Sequence, residues 1–267
     1  MPLPRLLWLP ILYGFVLNSR PRRSAEKYAA IWTREGSPLA VHTARQTQLL
    51  RASLKEYRIE YAMRYGEPSI ASVLEKLKSC EAVTVLPLYP QYSDSATGSV
   101  IDSVKGRYLA IRDFHDHPAY IAALSSSVKS FWEKNGRGQT LLMSFHGLPK
   151  RGAGVYEQQC LTTARLLAEK LDLKEGAWRV TFQSRFGFAK WLEPYTQPTL
   201  VALARSGVIE VDVVCPGFVS DCLETLEEIG LTAREAFLAA GGRELRLMPC
   251  LNESPEWIAA LAEISKK

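Results

Sequence analysis

The sequence has few cysteines and no close pair of them. The 267-residue chain contains five, and no two have the two-residue spacing typical of zinc ribbons and redox motifs. An odd number without close pairs argues against a disulfide framework and favours a reducing compartment. The cysteines are Cys80, Cys160, Cys215, Cys222 and Cys250.

Long runs of one charge are also missing. The net charge is +5 and the basic residues are scattered without aromatic interleaving, so nucleic acid is not expected as a partner. The apolar segment 3–17 is too short to cross a bilayer, and arginines at 20, 22 and 23 follow it. We interpret it as an apolar surface helix that packs against the body of the protein, a ligand or a membrane interface; in the last case a cytoplasmic protein makes peripheral contact with the inner membrane.

Short apolar runs alternate with longer amphipathic segments along the chain. This alternation predicts an α/β fold, with parallel sheets covered by helices. The polar segment 134–139 is the expected boundary between halves at residues 1–134 and 135–267. The predicted strands are Arg58–Met63, Ala82–Leu86, Tyr108–Arg112, Thr140–Phe145, Arg179–Gln183, Glu210–Val214 and Leu245–Met248; the predicted helices include Ser69–Lys78, Ala119–Lys134, Glu157–Leu171, Ala189–Ser206 and one that opens at Ser254.

The sequence contains four histidines, and one of them directly follows a predicted strand. His146 directly follows the predicted strand Thr140–Phe145, and sites in α/β proteins are built at the carboxyl ends of strands. A lone histidine is nevertheless more often structural than catalytic. The interpretation therefore depends on whether a partner stands at another strand end.

An acidic segment supplies a candidate partner. The strand ending at Val214 is followed by Cys215-Pro216-Gly217 and then by a predicted helix. At 100° per residue, Asp221, Glu224 and Glu228 share one face of that helix. Acids in a first helical turn are commonly solvated caps, but combined with a histidine they suit divalent metals or proton transfer.

Aromatic residues near the predicted strand ends also allow two interpretations. The loop 87–93 is rich in proline, tyrosine and serine, and Trp191 and Phe218 stand close to the other motifs. The loop is either a rigid turn or a wall for a flat ligand. Likewise, Tyr89, Trp191 and Phe218 either belong to the core or line an apolar cleft.

Taken together in chain order, these motifs resemble the ferrochelatases, over nearly the whole chain. The matching segments are Gly36–Leu39, Met63–Gly66, Pro87–Ser93, Ser144–Pro149, Phe182–Gly187, Trp191–Thr196, Cys215–Phe218 and Asp221–Glu228.

The resemblance implies both an activity and a site. Ferrochelatases insert ferrous iron into protoporphyrin IX in the last step of protohaem synthesis, in a cleft between two Rossmann-like halves. It implies a monomer in which the last helix packs back on the first half, with no cofactor beyond the substrate iron. The implied catalytic residues are His146 and Glu224, the metal ligands His146, Glu224, Asp221 and Glu228, and the porphyrin-binding residues Tyr89, Trp191, Phe218 and Arg64.

Three departures from the family pattern shape the expectations. The family's opening strand with an Asn-Leu-Gly-Thr-Pro type motif has no counterpart, and the loop Lys150–Glu157 after the histidine is short and lacks an aspartate. Asp94 stands where cluster-binding members have a cysteine, and no cysteine-rich tail follows, so no iron–sulfur cluster is expected. Two alternatives stay open: a non-catalytic porphyrin- or haem-binding remnant, and a chelatase for another metal or tetrapyrrole.

Overall fold

The computed structural model describes residues 17–104, 108–187 and 189–266, and side chains from residue 24 onward. The predicted apolar segment 3–17 therefore lies outside the described residues, apart from the backbone of Leu17. Among the helices that the structure describes, none is long and apolar enough to cross a membrane.

Two parallel sheets divide the elements into two halves. The first half contains α1 (Leu17–Ile31), α2 (Pro38–Ser53), α3 (Ile70–Lys76), β1 (Thr84–Val85), the π-helix π1 (Asp94–Gly98), α4 (Ser99–Ser103), β2 (Leu109–Ala110) and α5 (Pro118–Asn135). The second half contains β3 (Thr140–His146), α6 (Gly154–Lys170), β4 (Trp178–Gln183), α7 (Thr196–Arg205), β5 (Glu210–Val214), the π-helix π2 (Glu224–Ala233), α8 (Arg234–Ala239), β6 (Glu244–Leu247) and α9 (Pro255–Ile264).

The strand order of the second half creates a site at one edge of the sheet. Its four described strands are all parallel, in the order β4-β3-β5-β6. The chain leaves β3 towards one side, to β4, and then returns to its other side, to β5. The order thus reverses between β3 and β5, and ligands bind in the crevice outside the carboxyl ends of strands at such a switch point.

Strand β3 is buried on both faces, as its continuous apolar run predicts. Leu141, Met143 and Phe145 enter one core, with α5, α6 and α9, whereas Leu142 enters a second core with α7, π2 and α8. This alternation follows from the two-residue period of a strand. The first core joins both halves, because it also contains Phe114 from the first half.

The final helix begins where the sequence predicts it. Ser254 caps α9 by accepting a hydrogen bond from the Trp257 amide, and Pro255 occupies the first helical turn, where its missing N–H costs nothing. Trp257 is fully buried and lies 6.0 Å, centroid to centroid, from both Phe114 and Tyr120. The last helix thereby packs against elements of the first half.

Two predicted elements are wrong. Arg58–Met63 is not a strand, and within it Met63 alone forms an isolated bridge, to Ser69. The strands β1 and β2 pair with each other, and no described strand pairs with residues 58–63. The predicted helix Ala189–Ser206 begins at Thr196. Pro194 disfavours helical backbone at the preceding residue, so Trp191 and Tyr195 lie in an extended segment.

Candidate active site

His146 ends β3 with its ring in a defined orientation. Its Nδ1 lies 2.6 Å from the carbonyl oxygen of Gly147, and its own carbonyl accepts a hydrogen bond from Tyr156 at 2.8 Å. Because a carbonyl oxygen can only accept, Nδ1 of the neutral ring carries the proton and Nε2 keeps a free lone pair. The ring thus offers a base or a metal ligand through Nε2.

The residue after His146 has no room for a side chain. A Cβ atom on Gly147 would lie 2.6 Å from the Gln183 carbonyl oxygen and 3.3 Å from the Trp191 ring. The Gly147 amide donates to that same carbonyl at 2.8 Å. This close approach brings the ends of β3 and β4, and the indole of Trp191, next to the histidine.

The acidic segment is a π-helix and not the predicted α-helix. Hydrogen bonds from residue i to i+5 put more residues in each turn, so the expected 100° spacing fails. Glu224 opens π2, whereas Asp221 precedes it. The prediction that Asp221, Glu224 and Glu228 share one helical face is therefore wrong for Asp221, which lies before the helix that contains the other two.

Two of the three carboxylates are held by other groups. Glu228 accepts hydrogen bonds from the backbone amide and the hydroxyl of Ser184, both at 2.6 Å. Asp221 is buried and accepts from Asn252 Nδ2 at 2.7 Å and from Thr225 Oγ1 at 3.0 Å. The four predicted metal ligands do not form a preassembled set: the described residues include no group of three or more His, Cys, Asp or Glu arranged to hold a metal.

Gln183 connects the histidine strand to the glutamate helix. It pairs with His146 in the register of β3 and β4, and its Nε2 donates to the main-chain carbonyl of Glu224 at 2.6 Å. Its Oε1 accepts from Ser144 at 2.7 Å. The side chain is buried, so one residue fixes the relative positions of the two predicted catalytic groups.

Aromatic side chains from both halves surround this point. Phe218 lies 6.3 Å from the His146 ring. Burial, followed by the negative charge of Glu224, raises the pKa of Tyr89 of the first half. Trp191 lies beside Gly147. Phe218 and Trp191 therefore lie next to His146 and Gly147, and Tyr89 is within electrostatic range of Glu224; that these side chains bind a porphyrin stays a prediction.

Arg64 lies at the exposed side of this group. Its Nε donates to Ser99 at 3.2 Å, and its guanidinium stacks on the Tyr65 ring at 4.7 Å. Arg64 and Tyr65 are both close enough to Tyr89 to affect its pKa. Tyr65 is 79% exposed, so this edge is open to a ligand.

Helix α1 adds residues that the sequence interpretation missed. Lys27 forms a 2.7 Å ion pair with Glu227 of π2. Burial and the negative charge of Glu224 raise the pKa of Tyr28, so Tyr28 lies within electrostatic range of the predicted catalytic glutamate. The sequence alone does not indicate that Lys27 and Tyr28 lie near the site, because their partners are about 200 residues away in the chain.

A small cleft of about 230 Å³ borders the same region. Its lining includes Gln183, Ser184 and Glu228. A larger groove of about 840 Å³ runs between Arg179 of β4 and Ser206 after α7, and its described lining includes none of the predicted site residues.

Comparison with known proteins gives a consistent family. The ferrochelatase family model matches residues 1–267. A ferrochelatase of Aromatoleum aromaticum is 54% identical over 283 residues, covering 98% of this chain and 77% of that protein. A ferrochelatase of Azoarcus sp. strain BH72 is 55% identical over 278 residues, covering 97% and 76%.

Solved structures show the same fold at low sequence identity. CbiX, described as the terminal enzyme for siroheme biosynthesis in denitrifying bacteria, matches with a TM-score of 0.57 and 14% identity, over 86% of this chain and 93% of that one. The sirohydrochlorin chelatase SirB from Bacillus subtilis subspecies spizizenii, in complex with cobalt, has a TM-score of 0.59 and 12% identity, over 86% and 90%. Because the family model matches residues 1–267 and relatives about half identical cover nearly the whole sequence, this chain belongs to the ferrochelatase family.

Proposed function

We propose that this protein inserts ferrous iron into protoporphyrin IX to form protohaem, as a metal chelatase of the lyase class. The observation that carries the proposal is the link through Gln183 at the switch point of the second sheet: Gln183 pairs with His146 in the sheet and its side chain donates to the main-chain carbonyl of Glu224. Family membership supports the same reaction.

Metal insertion exchanges two pyrrole protons for one Fe²⁺. His146 Nε2 has a free lone pair, because Nδ1 donates to the Gly147 carbonyl. It accepts a pyrrole proton or binds the incoming iron, and the Glu224 carboxylate takes the complementary role. Imidazole and carboxylate together suit ferrous iron and proton transfer, and the porphyrin nitrogens supply the remaining ligands.

The porphyrin lies against the aromatic residues. Tyr89, Trp191 and Phe218 form a stiff wall that favours a buckled ring, whose nitrogen lone pairs point towards the metal. Favouring that shape lowers the barrier, because it resembles the transition state more than the flat substrate does. Arg64 stands where its guanidinium can pair with a propionate carboxylate.

Asp221 and Glu228 contribute negative charge beside this site. Their carboxylates already accept hydrogen bonds, so they act on the approaching cation and the departing protons mainly through their field.

Further features complete the proposal. The protein works in the cytoplasm as a monomer, in two halves at residues 1–134 and 135–267, with peripheral membrane contact through residues 3–17. It uses no iron–sulfur cluster and binds no nucleic acid. The supporting arguments are the cysteine pattern, the scattered charge and the apolar character of that segment.

The test is an insertion assay with purified protein, protoporphyrin IX and Fe²⁺ or Zn²⁺ under reducing conditions, followed by metalloporphyrin absorbance. We expect His146→Ala and Glu224→Gln each to slow insertion by at least about 100-fold, the range for loss of a general acid or base. Porphyrin affinity, measured by fluorescence quenching, stays unchanged.

His42→Ala is the matched control, because His42 pairs with Glu253 on another surface, and it retains activity. A wild-type rate equal to the uncatalysed control, with porphyrin still bound, would overturn the enzyme and favour the non-catalytic binding protein. Insertion of another metal or tetrapyrrole alone would favour a different chelatase.

A further inference from the structure

Asn252 uses all of its polar groups to connect three segments. Its Nδ2 donates to Asp221 Oδ2 at 2.7 Å, and its Oδ1 accepts from the Asp221 amide at 2.9 Å. Its own amide donates to the Val219 carbonyl at 2.9 Å. Its backbone is in the left-handed region, with φ of 43°, which asparagine tolerates better than most residues. The loop after β6 is thereby fastened to the loop after β5.

Helix α2 of the first half also contacts these two loops. Gln46 Nε2 donates to the Asn252 carbonyl and to Ser220 Oγ, both at 2.8 Å. Gln46 is almost fully buried. Breaking a buried hydrogen bond of this kind lowers the stability of the fold, because water cannot replace the missing partner. Gln46 therefore also links the first half to the loops after β5 and β6 in the second half.

Asp221 connects Asn252 to the first residues of π2. Its Oδ1 lies 3.0 Å from Thr225 Oγ1 and accepts from the Cys250 amide at 3.3 Å. Thr225 is fully buried, and its hydroxyl accepts from the Cys222 amide at 3.0 Å. Thr225 is adjacent to Glu224 in the chain. Asp221 and Asn252 thus restrain the backbone on both sides of the catalytic glutamate.

We propose that Asn252 and Asp221 act as a positioning pair that sets the place of Glu224, which makes Asp221 an anchor of the loop and not a ligand of the iron. The inference rests on the proposed function. It differs from the family-based expectation, in which Asp221 belongs to the ligand set. The geometry favours the anchor, since three protein donors occupy the two oxygens of the buried Asp221 carboxylate.

The first experiment converts the attractive contact into a repulsive one. Asn252→Asp keeps the side-chain shape but brings two carboxylates together where a 2.7 Å hydrogen bond was. We expect kcat for insertion to fall by about 10- to 100-fold, the usual effect of losing a supporting partner at a metal site. KM for protoporphyrin stays unchanged, since the aromatic residues are not disturbed.

The second experiment exchanges the two side chains. In Asn252→Asp with Asp221→Asn, the amide of residue 221 donates to the carboxylate of residue 252, and its oxygen still accepts from Thr225 and Cys250. Every hydrogen bond and the net charge are preserved. The anchor therefore predicts recovery of kcat to within about threefold of wild type, as expected when coupled residues are exchanged together.

An iron ligand at position 221 predicts the opposite, because the carboxylate has moved. A folded exchange variant as slow as Asp221→Asn alone would overturn the inference. If Asn252→Asp fails to fold, the exchange variant still decides, and circular dichroism with urea unfolding confirms its folding. Glu253→Gln is the control: it removes the negative charge from the adjacent 2.8 Å contact with His42 while keeping an accepting oxygen, and it leaves kcat unchanged.

Failure of this inference is distinguishable from failure of the proposed function. An inactive wild-type protein refutes the function itself. An active wild type with an inactive, folded exchange variant refutes only the positioning role.

Discussion

At the scale of single residues, reactivity depends on which atoms the protein leaves free. The Gly147 carbonyl binds Nδ1 of His146 and so selects Nε2 for chemistry. Ser184 and Asn252 occupy the carboxylates of Glu228 and Asp221. Neutral hydrogen-bonding groups therefore hold two of the three acids, whereas the third, Glu224, interacts with the Cys222 thiol and is the one that we propose to be reactive.

Tyr89 offers a test of whether Glu224 of the second half lies within electrostatic range of the first half. The charge of Glu224 contributes to the raised pKa of Tyr89, after burial. A negative neighbour disfavours the phenolate, so Glu224→Gln should lower the Tyr89 pKa. The measurement is the pH titration of ¹³C-labelled tyrosine rings by NMR, with Tyr89→Phe assigning the resonance. Glu235→Gln, on an exposed part of α8, should leave it unchanged; an unmoved Tyr89 resonance in Glu224→Gln would contradict the placement.

The residue scale also shows what the sequence could reveal. His146 was predicted because a histidine directly after a buried strand is conspicuous, and β3 does end at His146. Asn252 and Gln46 could not be predicted, because each contacts the site through partners 31 to 206 residues away. The roles of His146 and Glu224 in catalysis remain predictions.

At the scale of elements, β5 and α9 follow the sequence closely. The predicted strand Glu210–Val214 has the observed bounds, since a short valine-rich run between turn signals specifies a strand well. The π-helix was missed because apolar spacing near the period of an α-helix fits it almost as well. Its geometry is imposed by contacts that anchor its first residues, such as Thr225 with Asp221.

A buried ion pair fixes the other end of the second sheet. Asp212 of β5 is 1% exposed and accepts hydrogen bonds from Trp132 Nε1, the Gly138 amide and Arg246 Nε, at 2.7 to 2.8 Å. It therefore ties α5, the following turn and β6 together at the end of the sheet remote from His146.

Asp212→Ala should cost about 3–5 kcal/mol in the free energy of unfolding, because it removes the buried counter-charge of Arg246 and leaves that arginine with the more distant Glu244, at 4.0 Å. Urea titration measures this loss. Glu210→Gln in the same strand is the control: its pair with Arg243 is largely exposed on the arginine side, so about 1 kcal/mol or less is expected. Equal losses in the two variants would refute the special weight of the buried pair.

At the scale of the whole molecule, one core crosses the boundary between the halves. Trp257 of α9 packs on Phe114 and Tyr120, and the Tyr120 hydroxyl donates to the carbonyl of Pro216 in the loop after β5. The α/β class and the parallel second sheet were correctly predicted from alternating elements. This sharing of side chains was not, since it depends on contacts between distant segments.

A shared core predicts cooperative unfolding. Tryptophan fluorescence and far-ultraviolet circular dichroism should give coincident urea transitions, as two-state unfolding requires. Trp257→Ala should lower both midpoints together, with a loss of about 3–5 kcal/mol typical of a buried tryptophan. Two separated transitions, or a shift in one probe alone, would show that the halves unfold independently.

Gly147 has a consequence for how this site can vary. Its missing side chain lets the Gln183 carbonyl and the Trp191 ring come within contact distance. A single methyl group there would separate the histidine strand from the strand that holds Glu224 in place, and it would push the indole away from the ring-binding wall. The smallest residue of the site thus sets a size limit that couples the metal chemistry, the porphyrin surface and the sheet, although it contributes no reactive atom of its own.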